Sequence, residues 1–88
     1  MKIKKGFVVR EVGGKKYAVA TGEVAKSFRG MLGLNEMGAL IFELLQTKTT
    51  RDDVINAILN EYAVDRQTVE TDVDKFISQL KSIDVIED

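Results

Sequence analysis

The hydrophobic residues of this chain change period at Asn35, and that switch limits what the chain can fold into more than any other feature. Before it, apolar side chains alternate in short runs punctuated by glycine. In the run Leu34-Asn35-Glu36-Met37-Gly38-Ala39-Leu40-Ile41-Phe42-Glu43-Leu44-Leu45 they begin to recur at helical spacing. Asn35 is a good N-cap, and Met37, Leu40, Ile41, Leu44 and Leu45 form one stripe of a helix predicted to run to about Gln46. Thr50 is expected to cap a second helix, with Asp52 and Asp53 in the first turn where the helix dipole favours acids; Ile55, Ile58, Leu59 and Tyr62 are its stripe, with Val54 beside it. The short link Ala63-Val64-Asp65 leads to a third helix capped by Asp65, with Val69, Val73, Phe76, Ile77 and Leu80 as its stripe. An extended tail at 83–86 is expected to cover an edge of the core.

Upstream of the switch, residues 7–12 and 15–21 are rich in β-branched and aromatic side chains and flank Gly13-Gly14, a pair able to take the positive φ values of a primed hairpin turn. A two-residue loop sets the register: Val12 faces Lys15, Glu11 faces Lys16, Arg10 faces Tyr17 and Val8 faces Val19. The Glu11/Lys16 pairing of opposite charges supports it. Neither face is clearly the solvent face. A lone hairpin is marginal in water, so a third strand is required. Residues 28–34 supply it, with Phe28, Leu32 and Leu34 in phase on one face, Gly30 between them, and 22–27 as the connection. The competing strand, 24–29, puts Val24 and Phe28 together but buries Lys26. The predicted fold is α+β, a small winged-helix-like domain in which a three-stranded antiparallel sheet precedes three helices (βββααα), and one domain spans 1–88.

Missing residue types remove whole classes of function. With no His and no Cys, the chain lacks the ligands of structural zinc, the thiolate nucleophile and the imidazole base, and it forms no disulfide. Asp72 and Asp74 lie two apart on a helix and diverge, Asp52 and Asp53 belong at a helix start, and Ser27, Ser78 and Ser82 have no His to activate them. These features predict no enzyme, no metal and no cofactor. Near the N-terminus, Phe7-Val8-Val9 is followed at once by Arg10 and Glu11, far short of a signal-peptide core. No apolar run approaches the roughly 20 residues of a membrane span, so the expected location is cytoplasmic, without membrane contact.

The net charge of −1 conceals an asymmetry: residues 1–30 carry eight Lys/Arg against two acids, and residues 31–88 five against twelve. Either the two halves pack against each other, or a basic sheet surface awaits an acidic partner. Three helices beside a small sheet outline a winged helix, whose recognition helix needs Arg or Lys for phosphates and base edges. Residues 65–84 instead hold Asp65, Glu70, Asp72, Asp74 and Asp84 against Arg66, Lys75 and Lys81. Gly30-Met31-Leu32-Gly33 matches the GxxG of KH domains, but it lies beside a strand rather than between helices. No nucleic-acid partner is expected.

Taken together, these motifs resemble the PqqD family, named for pyrroloquinoline quinone biosynthesis protein D and also known as the RiPP recognition element. The resemblance rests on Gly6-Phe7-Val8-Val9-Arg10-Glu11, the hairpin, Leu34-Asn35-Glu36-x-Gly38-Ala39 with Glu43-Leu44-Leu45, Thr50-x-x-x-Val54-Ile55, and Val69-x-x-Asp72-Val73-x-x-Phe76-Ile77-x-x-Leu80. The family usually turns after the first helix on Asp-Gly or similar, where this chain has Gln46-Thr47-Lys48. It usually places Gly after the last helix, where this chain has Ser82-Ile83-Asp84. The resemblance implies a non-catalytic peptide chaperone that binds the leader of a ribosomally synthesised precursor and presents it to a modifying enzyme, often a radical SAM protein. The leader would add as a strand to the edge of the third strand, against the last helix.

On that placement the peptide-binding residues are Arg29, Gly30, Met31 and Gly33 on the strand, with Asp72, Lys75, Phe76 and Gln79 on the helix. Gly30 and Gly33 either admit a second backbone or ease a bulge. The alternative functions are a winged-helix DNA-binding transcription factor and a structural adaptor dimerising through its sheet. An unpaired edge strand and apolar hairpin faces also permit a weak homodimer. With an acidic last helix, no submicromolar, sequence-selective retention of duplex DNA is expected in a competition shift assay at physiological salt; such retention would favour the transcription-factor reading.

Overall fold

The computed structural model describes residues 1–27 and 30–87, the side chain of residue 27 excepted. The elements in chain order are β1 (Lys2–Ile3), β2 (Phe7–Val12), β3 (Lys15–Ala20), a one-turn helix α1 (Val24–Ser27), β4 (Met31–Leu34), α2 (Glu36–Leu44), α3 (Arg51–Glu61), α4 (Arg66–Ser82) and β5 (Ile86–Glu87). The predicted α+β order is present, with two short additions that pattern reading did not resolve, β1 and α1; the extended tail expected at 83–86 is reached only at Val85 and β5, because Ile83 and Asp84 still terminate α4.

Gly13 and Gly14 both take positive φ, 59° and 81°, as a primed turn demands, and the strands pair in the expected register from Val12↔Lys15 to Phe7↔Ala20. β3 is central, flanked by β2 and β4, and both pairings are antiparallel. Phe7, Ala18 and Leu34 turn inward, so this face of the sheet lies on the helices. The third strand is shorter than expected. Residues 28 and 29 lie outside the described residues, and Gly30 has φ 93°, a left-handed value that an extended strand excludes, so pairing begins at Met31. The competing strand at 24–29 is also excluded over its first four residues, because Val24–Ser27 is helical. That turn packs against Gly6, where φ is 98° and an added Cβ would lie 2.5 Å from Val24 Cγ2; only glycine fits.

Asn35 caps α2 as expected, its side-chain oxygen accepting from the Gly38 N–H at 2.7 Å. The buried stripe of α2 differs from the predicted one. Gly38, Ala39, Ile41 and Phe42 are buried within the helix and Leu45 just beyond it, whereas Met37, Leu40 and Leu44 are only half-buried. The helix is packed by the sheet on one side and α4 on another, which widens its buried arc and draws Phe42 to the centre of the core. Thr50 and Asp65 cap α3 and α4 through the N–H groups of Asp53 and Thr68. Tyr62, assigned to the α3 stripe, is half exposed because the backbone has already left the helix there (φ −128°, ψ 139°). No helix among the described residues is long and apolar enough to cross a membrane.

The two chain ends meet: Lys2 pairs with Glu87 and Ile3 with Ile86, while the Ile3 N–H donates to Leu45 O and the Lys4 N–H to Val85 O. The end of α4 makes this possible. Asp84 adopts φ 60°, its N–H donates to Lys81 O and the Val85 N–H donates to Leu80 O. This is a Schellman termination with Asp in the place usually taken by glycine, completed by apolar contact between the buried Leu80 and Val85. Asp84 also holds Lys4 at 2.8 Å. Midway along α4, the Arg51 guanidinium grips Asp74 in a bidentate pair, Nε–Oδ1 2.5 Å and Nη2–Oδ2 3.0 Å, joining α3 to α4. The Arg51 hydrogen bond holds the Asp74 carboxyl below its ordinary range.

Two tests follow from these contacts. Replacing Asp84 by Ala is expected to cost about 1 kcal/mol more than replacing it by Asn, although both remove the charge, because Asn tolerates the left-handed conformation; urea unfolding measures the difference. For Asp74, a folded pKa below the unfolded value means that its contribution to stability is present above the unfolded pKa and lost as pH falls through the folded one. In Arg51→Gln the Asp74 carboxyl should titrate nearer the ordinary value of about 3.9, read by carboxyl carbon shifts, and the acid side of the stability profile should flatten.

Candidate functional site

The candidate surface lies around the end of β4, where the strand passes through Asn35 into α2. β4 pairs only with β3 among the described residues, so its other edge carries main-chain groups open to a further strand. Met31 and Gly33 alternate with the inward Leu32 and Leu34. Met31 is 61% exposed and stands opposite Val19, and Gly33 stands opposite Tyr17. Gly30 lies in the bend before the strand, where its positive φ already accounts for glycine. Gly33 is different: its φ is ordinary and an added Cβ would meet nothing within 4 Å, so nothing within the described residues requires glycine there. Arg29 lies outside the described residues.

The four helix residues singled out from sequence do come together. Asp72, Lys75, Phe76 and Gln79 line a groove of about 230 Å³ with Asn35, Met37, Gly38 and Ile41 of the α2 end. The reason is helical spacing: Val69, Val73, Ile77 and Leu80 are turned into the core, and the adjacent stripe of α4 is thereby left along its rim. Phe76 belongs to both, half-buried, with its ring against Gly38. The α2 wall was not anticipated. A glycine inside a helix costs about 1 kcal/mol relative to Ala, so Gly38 was the available signal that something packs closely on that backbone.

A wider, open cleft of about 1100 Å³ lies between the hairpin and α2. Its walls carry Glu11, Lys15 and Lys16 on the strands and Glu36 and Glu43 on the helix, over a floor that includes Leu34, Ala39 and Leu40; Gly33 and Asn35 border it, and Asn35 is shared with the smaller groove. The cleft thus carries both signs of charge, with Glu11 directly across the hairpin from Lys16.

No curated protein matches the chain. Among solved structures, TbiB1 in complex with the TbiA(beta) leader peptide superposes with a TM-score of 0.73 at 28% identity, covering 99% of this chain and 95% of that one. The family described as coenzyme PQQ synthesis protein D (PqqD) matches residues 17–86, from the second strand of the hairpin to the closing β5. The match takes in the Asn35 junction, all three long helices and the α4 motif, and the chain belongs to the PqqD family.

Proposed function

We propose that this chain is a non-catalytic module that binds the leader of a ribosomally synthesised precursor peptide and presents the precursor to a modifying enzyme, of the radical SAM type in many relatives. The observation that carries this reading is the likeness, over nearly the full length of both chains, to TbiB1, which was solved with a leader peptide. The geometry of this chain supports it independently. β4 offers an open edge that a peptide strand can complete, and the α2–α4 groove offers a place for its side chains. Neither comparison favours the transcription-factor alternative.

In this reading the peptide pairs with β4, where Gly33 leaves room for a second backbone, and Met31 supplies apolar contact. Arg29 and Lys75 attract acidic leader residues. Phe76 is the apolar anchor, with Asp72 and Gln79 beside it on α4. Binding energy in such an interface concentrates on buried anchors, and rim charges add less and depend on salt.

The test is titration with the leader of a short precursor frame encoded beside the gene. Phe76→Ala is expected to weaken binding by about 2 kcal/mol or more. Lys75→Gln should cost less, and its effect should shrink as salt is added. Circular dichroism establishes that each variant is folded. Amide shifts should concentrate at residues 30–38 and 69–80; shifts confined to α3 and the hairpin tip, with those segments silent, would place the peptide elsewhere.

A further inference from the structure

The side of the β2–β3–β4 sheet turned away from the helices is open, and the strand register defines what it carries. Cross-strand partners share a face, so Val8, Val19 and Met31 form one outward row, Arg10, Tyr17 and Gly33 the next, and Val12 and Lys15 the last. α2 packs across the inner face of the same strands, where Phe7, Ala18 and Leu34 are buried. On the outer side Val12 is 60% and Met31 61% exposed. Arg10 and Lys15 are exposed there too, and among the described residues of these strands no carboxylate shares the face, because Glu11 lies on the inner side.

Gly33 points to a use for this face. A glycine inside a strand weakens it and often marks a place where another molecule comes close. Its φ is not positive and an added Cβ would meet nothing within 4 Å, so neither backbone conformation nor packing among the described residues calls for glycine. A strand added beside β4 lies in the plane of the sheet, whereas the missing Cβ points out of that plane. The space that Gly33 leaves therefore opens on the outer face. It is a notch with Tyr17 on one side and, once a peptide strand has paired with β4, that strand's outward side chain on the other.

We propose that the outer face of the sheet is the docking surface for the modifying enzyme, which lies over Gly33 and Tyr17 and meets the bound leader beside β4. The inference rests on the peptide-binding reading and adds to it the surface on which the second partner sits. Two features choose this occupant. The apolar row Val8–Val19–Met31 runs up to the open edge of β4, so an added strand extends it, and a protein seated on the row also touches the leader it is to receive. The charge of the face is wholly positive, so two copies set face to face would bring like charges together, whereas an apolar patch ringed by Asp and Glu on the enzyme is complementary.

The experiment measures the affinity of the full chain for the modifying enzyme encoded beside its gene, by interferometry at saturating adjacent-frame leader. Calorimetry gives leader affinity separately, and circular dichroism checks folding. Arg10→Glu and Lys15→Glu should each weaken the enzyme complex about tenfold, less as salt is added, while leader affinity stays unchanged. Lys48→Glu, the same change of charge on the exposed α2–α3 loop, should alter neither affinity. Gly33→Val fills the notch with a residue suited to a strand and should also weaken the enzyme complex about tenfold. If one variant fails to fold, the others decide. An enzyme complex indifferent to positions 10, 15 and 33, or weakened equally by Lys48→Glu, would overturn the docking face while leader binding stands. Self-association of the chain that the two sheet reversals abolish would give the face to a second copy and overturn it as well. A chain that binds leader but no enzyme defeats this inference alone, and one that binds no leader defeats the peptide-binding reading with it.

Discussion

The junction at Asn35 is the constraint on which the open strand edge and the α2–α4 groove both depend. With φ −78° and ψ 179°, Asn35 is the last extended residue after β4, and its side chain closes the first turn of α2 by accepting from the Gly38 N–H. One residue therefore ends the open strand, starts the helix behind it, and fixes the backbone on which the Phe76 ring rests. The free strand edge and the groove are thereby held at a constant offset. Here that offset is set by two covalent neighbours and one hydrogen bond rather than by a flexible loop.

The core behind this junction is correspondingly continuous. Phe42 and Ile41 from α2 with Leu45 just after it, Val54, Ile55 and Ile58 from α3, and Val69, Val73 and Leu80 from α4 are almost wholly removed from water. The ends of the chain are drawn into the same cluster through Ile3, Val85 and Ile86. Truncating a residue such as Phe42 in a core of this density removes transfer free energy and leaves a cavity, about 3–5 kcal/mol for Phe to Ala, a large share of the stability of a domain this small. Charge plays the smaller part. The Arg51–Asp74, Lys4–Asp84 and Arg66–Glu70 pairs are exposed and trim the geometry of α4 rather than hold the fold together.

Pattern and local chemistry were most legible where one principle acts without competition. Two adjacent glycines between alternating runs specify a hairpin and its register, and Asn35, Thr50 and Asp65 announce three helix starts because a side-chain oxygen there meets an orphan N–H. Reading was weaker where two elements share one stretch. In α2, contact with both the sheet and α4 buries Ala39 and Phe42 outside the predicted stripe. At Gly30 the alternation suggested a strand, but a turn governed by positive φ precedes it. The two-residue strands β1 and β5 carry too few residues for any period and exist only because the termini find each other.

By itself, then, the sequence determined the element types, the caps, the hairpin register, the stripe of α4 that lies along a groove, and the absence of any imidazole or thiol chemistry. These are local properties, set by the identity and spacing of residues within one or two turns. Tertiary structure alone decided that the groove has α2 as its second wall, that Gly38 matters for the room it gives Phe76, and that the exposed Asp74 pairs with Arg51 across two helices. Each of those facts joins residues more than twenty positions apart, and the space between two helices depends on how their side chains interlock, which no single stretch of chain records.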